Sequence, residues 1–267
     1  MTYRRGILSL NEIRQTYTMT DVWPVPLEDV CKFTAYLFQT NLSHFSIKYY
    51  LSGISYFSRV NDFEDPTQKF VIKKMLEVIK RSKPKTRDTR LPITKELLVI
   101  ILRILPFVCV SQYERKFFSA AFSVAYHGLL RVGKIAFNGI HSRHGIAISN
   151  VSILGNGLLN ISIPSSKTDQ IVMGTLISLQ AQINKDVCPC NLMRSFLTER
   201  PLIPGPVFCH CDGRPLTRYQ FVSVLKKALE RVGVEHKHYS SHLFRIGCAT
   251  SLSILGLSDD VIMKLGR

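Results

Sequence analysis

From residue 80 to residue 90 the chain reads Lys-Arg-Ser-Lys-Pro-Lys-Thr-Arg-Asp-Thr-Arg, six basic residues against one acid. A packed core cannot absorb that density of unpaired charge, and Pro84 opposes a helix through its middle. The segment is therefore read as a linker over 80–90. It divides the chain into two bodies, one over 20–88 and one over 91–267. The 267 residues suffice for two ordinary domains, and a hydrophobic fraction of 46% suffices to give them cores.

The first body reads as helical. Val30, Phe33, Thr34 and Leu37 share one helical face behind Pro24 and Pro26. Ile47, Tyr50, Leu51, Ile54 and Phe57 form a second stripe. Asp65-Pro66 is expected to open a third helix carrying Phe70, Met75 and Ile79. Three or four short amphipathic helices fit a small bundle.

The second body is mixed. Thr94 is a plausible N-cap, with Glu96 in the first turn. A long helix is expected from about Gln112, with Phe118, Ala121, Phe122, Ala125 and Leu129 inward, running into Gly128 and Arg131. Val151 and Ile153, then Leu159, Ile161 and Ile163, alternate with polar residues around Gly155-Asn156-Gly157, which predicts a β-hairpin. Pro164 ends the strand, 165–170 form a polar tip, and Ile171 to Met173 begin a third strand. Phe221, Val222, Leu225 and Leu229 share a helical face. Ser241 is expected to cap a helix from His242 to about Leu255, and Ser258-Asp259-Asp260 opens one more. The fold class predicted is mainly α with a small antiparallel β-sheet.

A formal net charge of +16 on a protein with real cores points to a polyanionic partner, of which nucleic acid is the commonest. Lys80, Arg81, Lys83, Lys85, Arg87 and Arg90 fit a segment lying along such a backbone. A nuclear-localisation signal reads on the same residues. No secretory signal opens the chain. Its most apolar run, Leu97 to Val110, contains Arg103 and Pro106 and is shorter than the ~20 residues a membrane span needs. No membrane association is expected. Seven cysteines without a secretory context fit reduced thiols in an intracellular compartment. Cys188-Pro-Cys190 and Cys209-His-Cys211 invite a zinc reading, but one intervening residue rarely lets two sulfurs reach one ion. Neither a metal nor a small-molecule cofactor is expected.

Arg131, Lys167, His242 and Arg245 stand out by chemistry and order. Two guanidinium forks can grip the non-bridging oxygens of a phosphate, and a lysine and a histidine can move protons. His242 and Arg245 are three apart, so on a helix they project from one side, at an N-terminus that itself favours an anion. Lys167 falls on the polar tip between strands. Arg131 follows an apolar helix end, where a buried arginine would call for an anionic partner.

This set resembles the tyrosine recombinases, the phage-integrase-like DNA breaking–rejoining enzymes. That family carries an arginine in a Gly-Leu-Arg-like box, a lysine on a β-hairpin and a His-x-x-Arg box on a later helix. The resemblance covers roughly residues 20 to 267. It is nearest to recombinases of eukaryotic mobile elements of the DIRS, Ngaro and Crypton kind, through Thr89-Arg-Leu-Pro-Ile-Thr94, Ser166-Lys-Thr-Asp-Gln170, and Phe244-Arg-Ile-Gly247 leading to Leu265-Gly-Arg267. It implies a core-binding-like helical clamp over 20–88 and an integrase-like α+β catalytic domain over 91–267, both acting on duplex DNA, with a second copy of the chain as a further partner there. The implied chemistry is metal-free strand cleavage and rejoining. Arg131 and Arg245 would stabilise the phosphoryl transition state, Lys167 would protonate the leaving oxygen and His242 would assist. The sequence departs from the family at Lys134, where an acid is usual. It also has no tyrosine after the His-x-x-Arg box, since Tyr219 and Tyr239 both precede it. The expectation is a catalytic region truncated before its nucleophile and inactive as it stands. A non-catalytic DNA-binding remnant or domesticated regulator is the alternative, and a helical scaffold with incidental charge a third.

Overall fold

The computed structural model describes residues 3–82, 91–137, 145–155, 157–164 and 174–266. The chain divides into two compact units, Met1–Arg87 and Asp88–Arg267. The described residues are mainly helical with one three-stranded antiparallel sheet.

The first unit contains α1 (Arg4–Thr16), α2 (Leu27–Gln39), α3 (His44–Val60) and α4 (Phe70–Ser82). The stripes expected on α2 and α3 supply its core, with Val30, Phe33, Leu37, Ile47, Leu51 and Ile54 all buried. Helix α1 precedes residue 20 and is not anticipated by the sequence reading, although Leu10 and Ile13 give it a buried face. It packs on α3 at a glycine pair. A Cβ on Gly6 would lie 2.2 Å from the Tyr50 carbonyl oxygen, and one on Gly53 would lie 2.4 Å from that of Tyr3. Buried Arg14 joins α1 to the following segment, donating to Asp21 at 2.5 Å and to the Val22 carbonyl at 2.8 Å.

Two expectations for this unit need correction. Asp65-Pro66 opens only a single 3-10 turn, Pro66–Gln68, because the Asp65 carboxylate ties itself to the backbone and hydroxyl of Thr67. Helix α4 begins at Phe70, whose ring is 73% exposed, and its buried residues are Ile72 and Ile79. Helix α4 also runs through Lys80 and Arg81 to Ser82, so the regular structure reaches into the segment read as linker. Lys83, Lys85, Arg87 and Arg90 lie outside the described residues.

The second unit is built around α6 (Gln112–His127). The sequence suggests one inward face, yet every residue from Phe117 to Tyr126 is buried. The helix is enclosed by α5 (Lys95–Ile104), α8 (Pro189–Leu197) and α10 (Leu243–Ile254). Small residues at 119–121, 123 and 125 allow that close approach. Ser123 resolves its buried hydroxyl by donating to the Val187 carbonyl at 2.6 Å. Thr94 and Ser111 cap α5 and α6 as side-chain acceptors, and α9 (Arg218–Arg231) opens with a capping box between Thr217 and Gln220. The short α7 (Val132–Ile135) and α11 (Asp259–Gly266) complete the helices.

Strands β1 (Val151–Ile153), β2 (Leu159–Ile163) and β3 (Thr175–Leu179) pair in that order. Val151 faces Ile161, and Ile161 faces Ile177. Leu159, Ile161 and Ile163 enter the core, as their alternation indicates. Gly157, at φ +79°, closes the hairpin, a conformation an L side chain rarely adopts. The residues expected to begin the third strand, 171–173, lie outside the described residues.

The cap of α10 is a further correction. Ser241 is buried just outside the helix, and the N-cap residue is His242, without a side-chain capping bond. The thiols of Cys188 and Cys190 are engaged with main chain: the Gln182 N–H donates to Cys188 Sγ, and Cys190 Sγ donates to the Leu179 carbonyl, each at 3.2 Å. Among the described residues no group of three His, Cys, Asp or Glu is placed to hold a metal ion. No helix there is long and apolar enough to cross a membrane.

Candidate functional site

Helix α6 ends in a tight turn that sets the geometry of the site. The N–H of Leu129 bonds to the Tyr126 carbonyl at 3.0 Å, and that of Leu130 to the Ala125 carbonyl at 3.1 Å. This is a Schellman closure, whose left-handed position usually holds glycine. Here Leu129 occupies it at φ +47°. A left-handed backbone costs an L residue roughly 1–2 kcal/mol, which burial of the Leu129 side chain offsets. The turn points the Leu129 carbonyl at Arg245, whose Nη1 donates to it at 3.4 Å.

Arg131 emerges from this turn as the N-cap residue of α7, in extended backbone. It is exposed, which corrects the expectation of a buried arginine. Leu129 and Leu130 take the buried places, and the chain has left the core by residue 131. The case for an anion at Arg131 therefore rests on its neighbours rather than on desolvation.

Those neighbours converge on one small cavity of about 30 Å³. The Gly128–Leu130 turn forms one wall. Arg131, Lys134 and Arg245 bring three cationic side chains to it, and Gly266 of α11 closes it. A Cβ at Gly266 would stand 2.9 Å from Arg245 Nη2, so the glycine lets the guanidinium lie flat against the last turn of α11. Ile163 and Thr175, the facing ends of β2 and β3, supply the remaining side. Burial, with the charge of Arg131 added, pushes the Lys134 ammonium below its ordinary pKa. An anion in the cavity would relieve that crowding of like charge.

Lys167 lies outside the described residues. The two strands that bracket it in sequence both end at this cavity. His242 is exposed at the start of α10, one turn before Arg245, and is not among the residues lining the cavity. Of the four residues singled out by chemistry, the structure thus brings Arg131 and Arg245 together. Lys134 and Gly266 join the site without having been chosen from the sequence. Lys134 was legible as the residue three places after Arg131 across one helical turn. Gly266 belongs to the Leu265-Gly-Arg267 segment that carries part of the resemblance, although its place against Arg245 is not legible there. Among the described residues no tyrosine lines the cavity. Tyr239 is packed against the hydrophobic core, and Tyr219 is 82% exposed on α9.

Three solved structures share this architecture. One is the XerH site-specific recombinase bound to difH substrate in a pre-cleavage complex, with a TM-score of 0.64 at 17% identity, covering 99% of this chain and 71% of that one. Another is the Tn1549 transposon integrase in complex with circular intermediate DNA, with a TM-score of 0.66 at 14% identity, covering 98% and 84%. The third is a lambda integrase dimer bound to a COC′ core site, with a TM-score of 0.56 at 16% identity, covering 98% and 85%. At such identities the likeness is one of fold. No protein-family model matches the chain, and no curated protein matches it.

Proposed function

We propose that this protein binds duplex DNA through its phosphates and that the cavity between Arg131 and Arg245 receives one phosphodiester, as in enzymes that break and rejoin DNA strands. The observation that carries this reading is the convergence of two arginines from distant helix ends on one small cavity. Two planar guanidinium groups suit the non-bridging oxygens of a phosphate, and fixed cations there would stabilise charge developing in transfer. Lys167, on the connection between β2 and β3, would protonate the leaving oxygen, and His242 would assist from the edge. Lys80 and Arg81, exposed on the last turn of α4, would begin a basic tract along the backbone, continued by Lys83, Lys85, Arg87 and Arg90. The fold shared with DNA-bound recombinases supports the reading, as does a formal charge of +16. The sequence segments around Arg90, Lys167 and Arg245 favour a source in a eukaryotic mobile element of the DIRS, Ngaro or Crypton kind.

Binding is expected to fall steeply between about 50 and 200 mM salt, because each neutralised phosphate releases counterions. Arg131→Ala and Arg245→Ala are each expected to weaken duplex binding by about tenfold, the scale of one lost charge-assisted hydrogen bond. Fluorescence anisotropy alongside circular dichroism melts checks both. Unchanged affinity of the folded fraction, with a lowered melting temperature, would assign the arginines a structural role instead.

A second reading is DNA binding without catalysis, consistent with Tyr219 standing exposed on α9 and Tyr239 packing against the core. Arginines and a lysine position and protonate but do not replace a covalent nucleophile. The 267-residue chain is accordingly expected to form no covalent adduct with a nicked suicide substrate on a denaturing gel. An adduct lost in Tyr239→Phe or Tyr219→Phe would place the nucleophile in this chain after all.

A further inference from the structure

The first unit carries a surface that the cavity of the second unit does not use. A groove of about 430 Å³ runs between α3 and α4. Lys48, Lys73 and Lys80 line it, together with Leu51, Leu76 and the polar side chains of Ser52, Ser55 and Thr67, of which Ser55 and Thr67 donate their hydroxyls to Asp65 at 2.6 and 2.7 Å. Glu77 is the one acid of its described lining, and it is already paired with Lys74 at 2.9 Å. His44 also lines the groove, and its Nδ1 is buried with no hydrogen-bond partner among the described residues.

Beside this groove α3 presents aromatic rings to solvent. Phe45 is 79% exposed, Tyr49 42% and Tyr56 49%. Tyr3 of α1 stacks on Tyr56 with ring centroids 4.3 Å apart and planes 5° from parallel, and is itself 41% exposed. At 3.6 residues per turn the aromatic row is centred roughly 100° around α3 from the groove-lining row, so the two adjoin. Ser52 belongs to both. The opposite flank of α3 is closed by α1 at the Gly6–Gly53 contact.

A basic groove edged by exposed ring faces is the combination that binds an unpaired nucleic-acid strand, with phosphates in the groove and bases on the rings. A duplex gives the rings nothing to stack on, since its base faces are already covered by their neighbours. A docked protein helix would use the rings, whereas Lys48, Lys73 and Lys80 call for an anionic partner. We infer that the α3–α4 groove of the first unit is a binding site for single-stranded nucleic acid, with Lys48 and Lys73 on the phosphates and Phe45, Tyr49 and Tyr56 under the bases.

The inference does not depend on the Arg131–Arg245 cavity, and one experiment separates the two. Anisotropy of a fluorescein-labelled oligothymidine of about 12 nucleotides is measured with the full chain, against a labelled duplex of equal length. Phe45→Ala and Tyr56→Ala are each expected to weaken oligothymidine binding about fivefold or more, with duplex binding changed less than twofold. Lys48→Ala should weaken single-strand binding and make its salt dependence shallower, by about 0.7 in the slope of log K against log salt for one lost phosphate contact. Arg131→Ala should leave the oligothymidine affinity intact. All four positions are exposed, so circular dichroism should show unchanged folding. Failure of oligothymidine to bind overturns the inference. So does binding that is indifferent to Phe45 and Tyr56, since charge alone would then explain it.

Discussion

Gly247→Ala is expected to destabilise the second unit by about 3 kcal/mol or more, at the upper end of what overpacking costs. Helix α10 crosses the segment at residues 91–93, and Gly247 is the point of closest approach. A Cβ there would lie 1.8 Å from the Ile93 carbonyl oxygen and 2.6 Å from its carbon. Both atoms are main chain, so no side-chain rotation relieves the overlap. The segment cannot retreat freely either, because the Ile93 N–H bonds to the Leu243 carbonyl at 3.2 Å and that of Leu91 to the His238 carbonyl at 3.0 Å. Ile93 is itself fully buried. Gly133→Ala is the control, since nothing lies within 4 Å of the added atom. It should be neutral or stabilising by up to about 1 kcal/mol, as glycine is a poor helix residue. Thermal melts followed by circular dichroism decide. Equal melting temperatures for the two variants would show that α10 shifts at little cost.

The same contact bears on the site. Arg245 stands two residues before Gly247 on α10, and its guanidinium reaches the Leu129 carbonyl and lies against Gly266. A displaced α10 would carry that guanidinium away from Arg131. Folded Gly247→Ala protein should therefore also bind duplex DNA more weakly, which links the packing of one glycine to the proposed phosphate grip.

What the sequence disclosed and what it hid follow from the range of the interactions involved. Alternation over Leu159, Ile161 and Ile163, and the spacing of Val30, Phe33 and Leu37, are local patterns, and they correspond to buried strand and helix faces. The caps at Thr94 and Thr217 depend on neighbours three residues away, although only the first was read. The exposure of Phe70 is not legible, because hydrophobicity alone does not say which face of a helix turns inward. Helix α1 is not legible either, because its apolar residues are few and its fit depends on Gly53, far along the chain. The burial of α6 on all sides reflects three helices that no local window contains. At the site, Arg131 and Arg245 were legible by residue type and order. The exposure of Arg131 was not, since it follows from a left-handed Leu129 where glycine would be the usual signal.

Arg200→Ala is expected to cost on the order of 3–5 kcal/mol, the scale for removing a buried cation on which several main-chain acceptors depend. Arg200 is 6% exposed, and all its recorded hydrogen bonds go to main-chain carbonyls. Nε donates to Val207 at 2.9 Å, Nη2 to Pro206 at 2.9 Å, and Nη1 to Pro201 at 2.6 Å and Ile203 at 3.0 Å. The side chain is thus the internal scaffold of the 201–207 loop, which has no regular structure of its own. Removing it leaves carbonyl oxygens without a donor in a partly buried setting. The loop in turn supports the edge of the proposed site. The Val207 N–H bonds to the Ile146 carbonyl at 2.8 Å, and the Ile146 N–H to the Lys134 carbonyl at 2.9 Å. Arg200→Ala should lower the melting temperature of the second unit by roughly 10 °C, and amide exchange should quicken first at Val207 and Ile146. Arg200→Lys keeps the charge but presents one compact ammonium in place of a planar fork, and should recover less than half of the loss. A lysine variant as stable as the unmodified protein would mean that the loop needs a buried cation and not the guanidinium's geometry.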